Sequence, residues 1–88
     1  MKFDFASVLK SFPLPSSLEK LVVSDWTLQM RHKPSGRIFT IEHTGVNEFT
    51  LYERSAIDGL YKENDPKGNF VMRTDLRKIL ILLGFVKK

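Results

Sequence analysis

The chain has 88 residues, 42% of them hydrophobic and 27% charged, and its formal net charge is +4. This composition excludes a disordered tail or a low-complexity linker. The absence of cysteine excludes disulfide scaffolds, thiolate zinc sites and cysteine nucleophiles. We therefore expect residues 1–88 to form a single small domain with one modest hydrophobic core.

The positive charge is concentrated in the last quarter of the chain. From residue 67 onward there are six basic residues and one acidic residue, whereas the preceding part is nearly neutral. Such a segment attracts polyanions or keeps a small protein soluble. The first residues do not have the pattern of a secretory signal, and no apolar run reaches the length of a membrane span. The sequence favours a cytoplasmic protein with no membrane partner.

Helical spacing of apolar residues marks the beginning of the chain. Four of them share one face of a short helix that Pro13 ends: Phe5, Val8, Leu9 and Phe12. Ser16 and Glu19 then have the spacing of a capping box, which predicts a second short helix ending near Ser24. One helix followed by an extended lead-in fits the same residues.

From Trp26 onward the apolar residues alternate, as they do in half-buried strands. Two such strands are separated by residues 33–36, where Pro34 and Gly36 favour a type I turn. This turn pairs Met30 with Phe39, Leu28 with Ile41, and Trp26 with His43. All of these large apolar side chains then lie on one face of the hairpin.

A third strand is predicted at Asn47–Glu53, after a loop of three residues. The expected cross-strand pairs are Ile41 with Phe49, Phe39 with Leu51, and Arg37 with Glu53. The opposite face of this meander carries mostly polar residues: Thr27, Gln29, Arg31, Ile38, Thr40, Glu42, Glu48, Thr50 and Tyr52. Residues 64–68 form a strong turn signal, which residues 60–63 and 69–72 could flank as a short hairpin. A fourth strand near residues 60–63 is preferred, although a brief helix from Ser55 is an alternative.

The C-terminal segment has a complete helix signature. Thr74 can cap the helix, Asp75 suits its first turn, and Gly84 supplies a left-handed stop. Its apolar stripe is expected to cover the meander: Leu76, Ile79, Leu80 and Leu83. The predicted fold class is thus α+β, a small single domain. A three- to four-stranded antiparallel meander is packed on one face by the C-terminal helix, with N-terminal helical segments.

We predict no catalytic, cofactor-binding or metal site in this chain. His32 and His43 fall at opposite ends of the hairpin without further convergent ligands. Glu42 and Glu48 are expected to face each other on the solvent side, where burial does not tune a carboxylate for acid–base chemistry. The serines lack a base partner and the glycines form no phosphate loop. An enzyme assembled around either histidine at an oligomer interface is a third, weaker hypothesis.

Two surfaces are candidates for binding. Arg31, Lys33 and Arg37 cluster at the hairpin tip, and Tyr52 on a neighbouring strand could stack on a base, which is typical of nucleic-acid binding.

The second candidate surface is on the C-terminal helix. Ile81 and Leu82 lie outside its core stripe beside Arg77 and Lys78, so something should cover them, either the N-terminal helix or a partner. The preferred hypothesis is a non-catalytic macromolecular interaction module that self-associates as a dimer or binds another protein. The alternative is a nucleic-acid-binding protein that uses the hairpin tip and the basic C-terminal segment.

Overall fold

The computed structural model describes residues 3–54 and 69–86, which form two short helices and five strands. In chain order these are α1 (Phe5–Ser11), β1 (Leu18–Val23), β2 (Thr27–His32), β3 (Ile38–Gly45), β4 (Glu48–Arg54), β5 (Asn69–Thr74) and α2 (Leu76–Leu83). The strands form one sheet in the order β1-β2-β3-β4-β5, and each neighbouring pair is antiparallel. The fold is therefore a small α+β domain, as predicted.

The β2–β3 hairpin has the predicted register. Met30 pairs with Phe39 and Leu28 pairs with Ile41. The turn is closed by the Gly36 amide, which donates to the His32 carbonyl at 2.7 Å. Gly36 has a φ of 73°, a left-handed conformation that glycine adopts without steric cost. Local turn chemistry and the alternation of apolar residues are sufficient to set this register.

The predicted second helix was wrong, because residues 18–23 form the edge strand β1. Isolated helices of one or two turns are unstable, whereas pairing with β2 satisfies the backbone groups of both strands. The β-branched Val22 and Val23 also favour a strand. Leu18, expected on a helical stripe, is instead buried in the core as the first residue of β1.

The predicted β3–β4 register was wrong by two residues. Ile41 pairs with Leu51 and His43 pairs with Phe49, because the strands extend to a tighter turn in which Asn47 adopts a φ of 57°. An even shift keeps every side chain on its predicted face. The next partner of β4 is β5; the strand predicted near residues 60–63 lies outside the described residues.

One face of the sheet forms the hydrophobic core with the two helices. The buried cluster contains Phe5, Leu18, Leu28, Met30, Ile41, Phe49, Leu51 and Ile79. Trp26, predicted to face inward, is 58% exposed. Its indole stacks on His43, whose ring stacks in turn on Phe49, so the imidazole occupies the position next to the core.

The opposite face of the sheet is less exposed than its polar residues suggested. Gln29, Thr40 and Thr50 are buried there, as is Ile38. The Gln29 side-chain amide donates to the Thr40 hydroxyl at 3.1 Å, and the Arg73 guanidinium donates to Thr50 at 3.2 Å. These hydrogen bonds offset the cost of burying the polar groups.

Candidate functional site

The helix α2 is fixed at both ends by its own sequence. Asp75, rather than the predicted Thr74, is the N-cap: its carboxylate accepts a hydrogen bond from the Lys78 amide at 3.0 Å. Thr74 instead ends β5, which leads directly into the helix. Gly84 has a φ of 90° and stops the helix as predicted, and the Phe85 amide donates to the Leu80 carbonyl.

The two sides of α2 differ in exposure. Ile79 and Leu80 are buried against the rest of the fold. Leu82, by contrast, is 59% exposed, and Ile81 is half-buried. The four residues predicted as a protein interface are therefore accessible on the helix.

The outer side of α2 repeats one arrangement in two neighbouring rows. Lys78 lies one helical turn before Leu82, and Arg77 lies one turn before Ile81, so each row has a cation followed by an aliphatic side chain. Both cations are exposed. We call this surface, together with Met72 on β5, the α2 surface.

Three hollows lined by described residues adjoin α2. One of about 460 Å³ is lined by Met72, Lys78, Ile81 and Leu82. A second, of about 280 Å³, lies on the other side of Leu82 against the β2–β3 hairpin and is lined by Ser17, Leu18, His32, Ser35, Arg37, Phe39, Leu82 and Leu83. A third of about 180 Å³ is lined by Phe12, Leu76, Arg77, Leu80 and Val86. Leu82 thus projects between the first and second hollows and contributes to the lining of both.

The residues predicted to bind nucleic acid are divided between the two faces of the sheet. Arg31 and Tyr52 lie on the face opposite the helices, whereas Arg37 lines the hollow beside Leu82. Lys33 is exposed in the turn between them. The hairpin therefore does not bring the four side chains onto one surface.

Both arginines of this group are engaged by carboxylates. Arg31 forms an ion pair with Glu19. Arg37 donates two hydrogen bonds to Glu53, at 2.6 and 2.5 Å, and its guanidinium lies 5.5 Å from the centre of the Phe39 ring. The hydrogen bond from Arg37 lowers the pKa of the Glu53 carboxyl, and the same contact raises the pKa of Arg37. The predicted charge complementarity of Arg37 and Glu53 is present despite the register shift.

The two histidines have separate surroundings. His32 Nδ1 lies 2.7 Å from the Ser35 hydroxyl. His43 is stacked among aromatic rings, with Phe49 at 4.4 Å, Phe3 at 4.7 Å and Trp26 at 5.1 Å between ring centres. Its Nδ1 is buried and has no hydrogen-bond partner among residues 3–54 and 69–86. Sequence alternation placed His43 beside Trp26 but gave no sign that Phe3 would complete the cluster.

The carboxylates predicted to face each other do not do so. Glu42 pairs with Thr50 across the strands, and Glu48 pairs with Gly45. Among residues 3–54 and 69–86, no three His, Asp or Glu side chains converge in a way that could hold a metal ion. In the same ranges no helix has the length and apolar character needed to cross a membrane.

Comparison with known proteins gives no guide to this surface. No protein-family model matches the chain, and no curated protein or solved structure matches it. Functional inference therefore depends on the geometry and chemistry of the residues themselves.

Proposed function

We propose that this protein is a non-catalytic interaction module that binds another protein through the α2 surface. The observation that carries the proposal is the 59% exposure of Leu82 on a helix whose opposite side is buried. Fully burying a leucine side chain contributes about 1.5–3 kcal/mol, so a partner that fills the adjoining hollows gains appreciable binding energy. The hollows provide the concave surfaces that such a partner needs.

The neighbouring side chains give the surface the character of an interface. An apolar centre with a charged rim is the usual arrangement of protein-binding patches. Here Ile81, Leu82 and Met72 form the apolar part, and Arg77 and Lys78 form the rim. Self-association, predicted from the sequence, is one form of this function, in which a second copy of the chain covers Leu82.

Nucleic-acid binding is the second candidate function. It is supported by the net charge of +4 and by the exposed Lys33 in the hairpin turn. Arg31 and Arg37 would have to loosen their contacts with Glu19 and Glu53, or contribute while still paired. This requirement makes the hairpin the weaker of the two surfaces.

Affinity capture from the native cell tests the proposed function. Tagged wild-type protein is compared with Leu82→Lys and with Val46→Lys, a matched control because Val46 is 93% exposed in the distant β3–β4 turn. Each capture is repeated after nuclease treatment, with an untagged copy of the chain also present. We expect at least one protein, this chain included, to be retained by wild type and Val46→Lys, lost with Leu82→Lys, and unaffected by nuclease.

Two results would contradict the proposal. One is a set of captured proteins that is identical for the two lysine variants. The other is capture that disappears with nuclease and that Arg31→Glu plus Arg37→Glu also abolishes, which would favour the nucleic-acid function. Leu82→Lys alters an exposed position, so we expect the free energy of unfolding of this variant to stay within about 0.5 kcal/mol of the wild-type value. Measuring this free energy by urea denaturation checks that the variant is folded.

A further inference from the structure

We infer that the α2 surface receives an acidic amphipathic helix of a partner protein, and not a second copy of this chain. This inference rests on the proposed function and specifies the chemistry of the partner. It is carried by the sign of the charge around the three hollows, by the lack of ion pairs at α2, and by the spacing of its exposed residues.

Three basic residues line the hollows in the described part of the chain: Arg37, Arg77 and Lys78. Arg37 is already paired with Glu53, so Arg77 and Lys78 supply the charge that no glutamate offsets. No Asp or Glu is among the described residues that line these hollows. A ligand that enters them therefore encounters basic groups and aliphatic side chains together.

The cations of α2 differ from the arginines of the sheet in having no ion-pair partner among the described residues. Arg31, Arg37 and Arg73 each form an ion pair with a glutamate. In the described ranges 3–54 and 69–86, Arg77 and Lys78 form no ion pair, and α2 contains no acidic residue after its N-cap. Their charge is available to carboxylates of a partner.

The same feature argues against a second copy on this surface. In a two-fold symmetric dimer, each copy presents the same patch to the other. The α2 surface contains no Asp or Glu, so wherever the two-fold axis lies, Arg77 and Lys78 of one copy meet no carboxylate on the same surface of the other. A different chain with carboxylates on its rim gains electrostatic attraction at the same positions.

The geometry of α2 favours a helical occupant. The cation and the aliphatic residue in each row are one helical turn apart, a spacing that an antiparallel partner helix reproduces with carboxylates and leucines on its own turns. The hollows on the two sides of Leu82 provide grooves for the apolar face of such a helix. This is the helix-in-groove mode of recognition.

Synthetic peptides of defined charge test the inference directly. Three peptides of about 18 residues carry leucines at positions i, i+3, i+4 and i+7, with glutamate, glutamine or lysine on the flanks. A fourth retains the glutamates but lacks the leucines. Binding is measured by fluorescence anisotropy of the labelled peptide, and the binding surface is mapped by amide chemical shifts.

The expected result is a preference for the leucine–glutamate peptide. It should bind about fivefold more tightly than the glutamine peptide, as expected for one or two exposed ion pairs, and should shift the amides of residues 76–83. Lys78→Glu leaves Arg77 as the remaining cation and should abolish the preference for the glutamate peptide over the glutamine peptide. Lys20→Glu, which makes the same charge change at an exposed position on β1, should leave the preference unchanged.

Other outcomes would overturn the inference in distinguishable ways. Equal binding of the glutamate and glutamine peptides, with both lost in Leu82→Gln, would refute the acidic partner while supporting the proposed docking function. If the peptide without leucines binds as tightly as the leucine–glutamate peptide, or if a single-stranded oligonucleotide competes with it for the same cations, the result would show only that the protein attracts any polyanion. If no peptide shifts the α2 amides, the acidic helix is refuted, and the capture experiment still decides the docking function independently.

Discussion

The ion pair between Arg37 and Glu53 shows how single residues affect stability without taking part in the core. Both side chains are partly exposed, so screening by solvent keeps the contribution of the pair small. The pKa of Glu53 is lowered in the folded state by its hydrogen bond from Arg37. Its stabilising effect is therefore complete above the pKa of the unfolded chain and is lost as the pH falls through the folded pKa.

A double-mutant cycle with Arg37→Gln and Glu53→Gln measures this effect. We expect a small favourable coupling in the free energy of urea unfolding at neutral pH. The coupling should decline once the pH falls below about 4.3, the ordinary pKa of glutamate, because the carboxylate becomes protonated. A coupling that stays constant down to acidic pH would mean that the two side chains do not interact through charge.

Another pair of residues separates the core from the α2 surface. Leu51 on β4 is fully buried, whereas Leu82 on α2 is 59% exposed. The change Leu51→Ala should lower the free energy of unfolding by about 2–5 kcal/mol, because it removes buried methyl groups and leaves a cavity. The identical change Leu82→Ala should cost less than about 0.5 kcal/mol. Similar losses in the two variants would show that Leu82 is part of the core.

At the scale of secondary-structure elements, local signals and long-range pairing differ in how well the sequence reveals them. The β2–β3 register and the stop of α2 at Gly84 were predictable, because a turn motif and a capping glycine act within a few residues. The strand β1 was not, because its conformation depends on pairing with β2. The two-residue error between β3 and β4 arose at the turn, since alternation fixes faces but not turn length.

The candidate site was predictable to a similar extent. Ile81 and Leu82 could be identified because they fall outside the apolar stripe of α2. The contribution of Met72 could not, because it comes from β5 and requires knowledge of the pairing with β4. The division of Arg31 and Arg37 between two faces follows from the predicted alternation along the strands. The ion pair of Arg31 with Glu19 could not be predicted, because it depends on the strand β1.

For the molecule as a whole, the helices and strands divide the surface into regions of different character. The hairpin arginines Arg31 and Arg37 are paired with glutamates, whereas Arg77 and Lys78 on α2 form no ion pair within residues 3–54 and 69–86. The exposed Leu82 and the cations Arg77 and Lys78 therefore lie together on one side of the fold. We take this side to be where the protein meets its partner.

Site-specific photo-crosslinking in the native cell tests this claim most directly. A photoreactive residue at position 82 probes the α2 surface. The same residue at position 46 probes the more exposed β3–β4 turn, at the end of β3 opposite the β2–β3 turn that Leu82 adjoins. We expect a discrete protein adduct from position 82 that does not form from position 46. The absence of an adduct from position 82, or the same adduct from both positions, would contradict a docking role for α2.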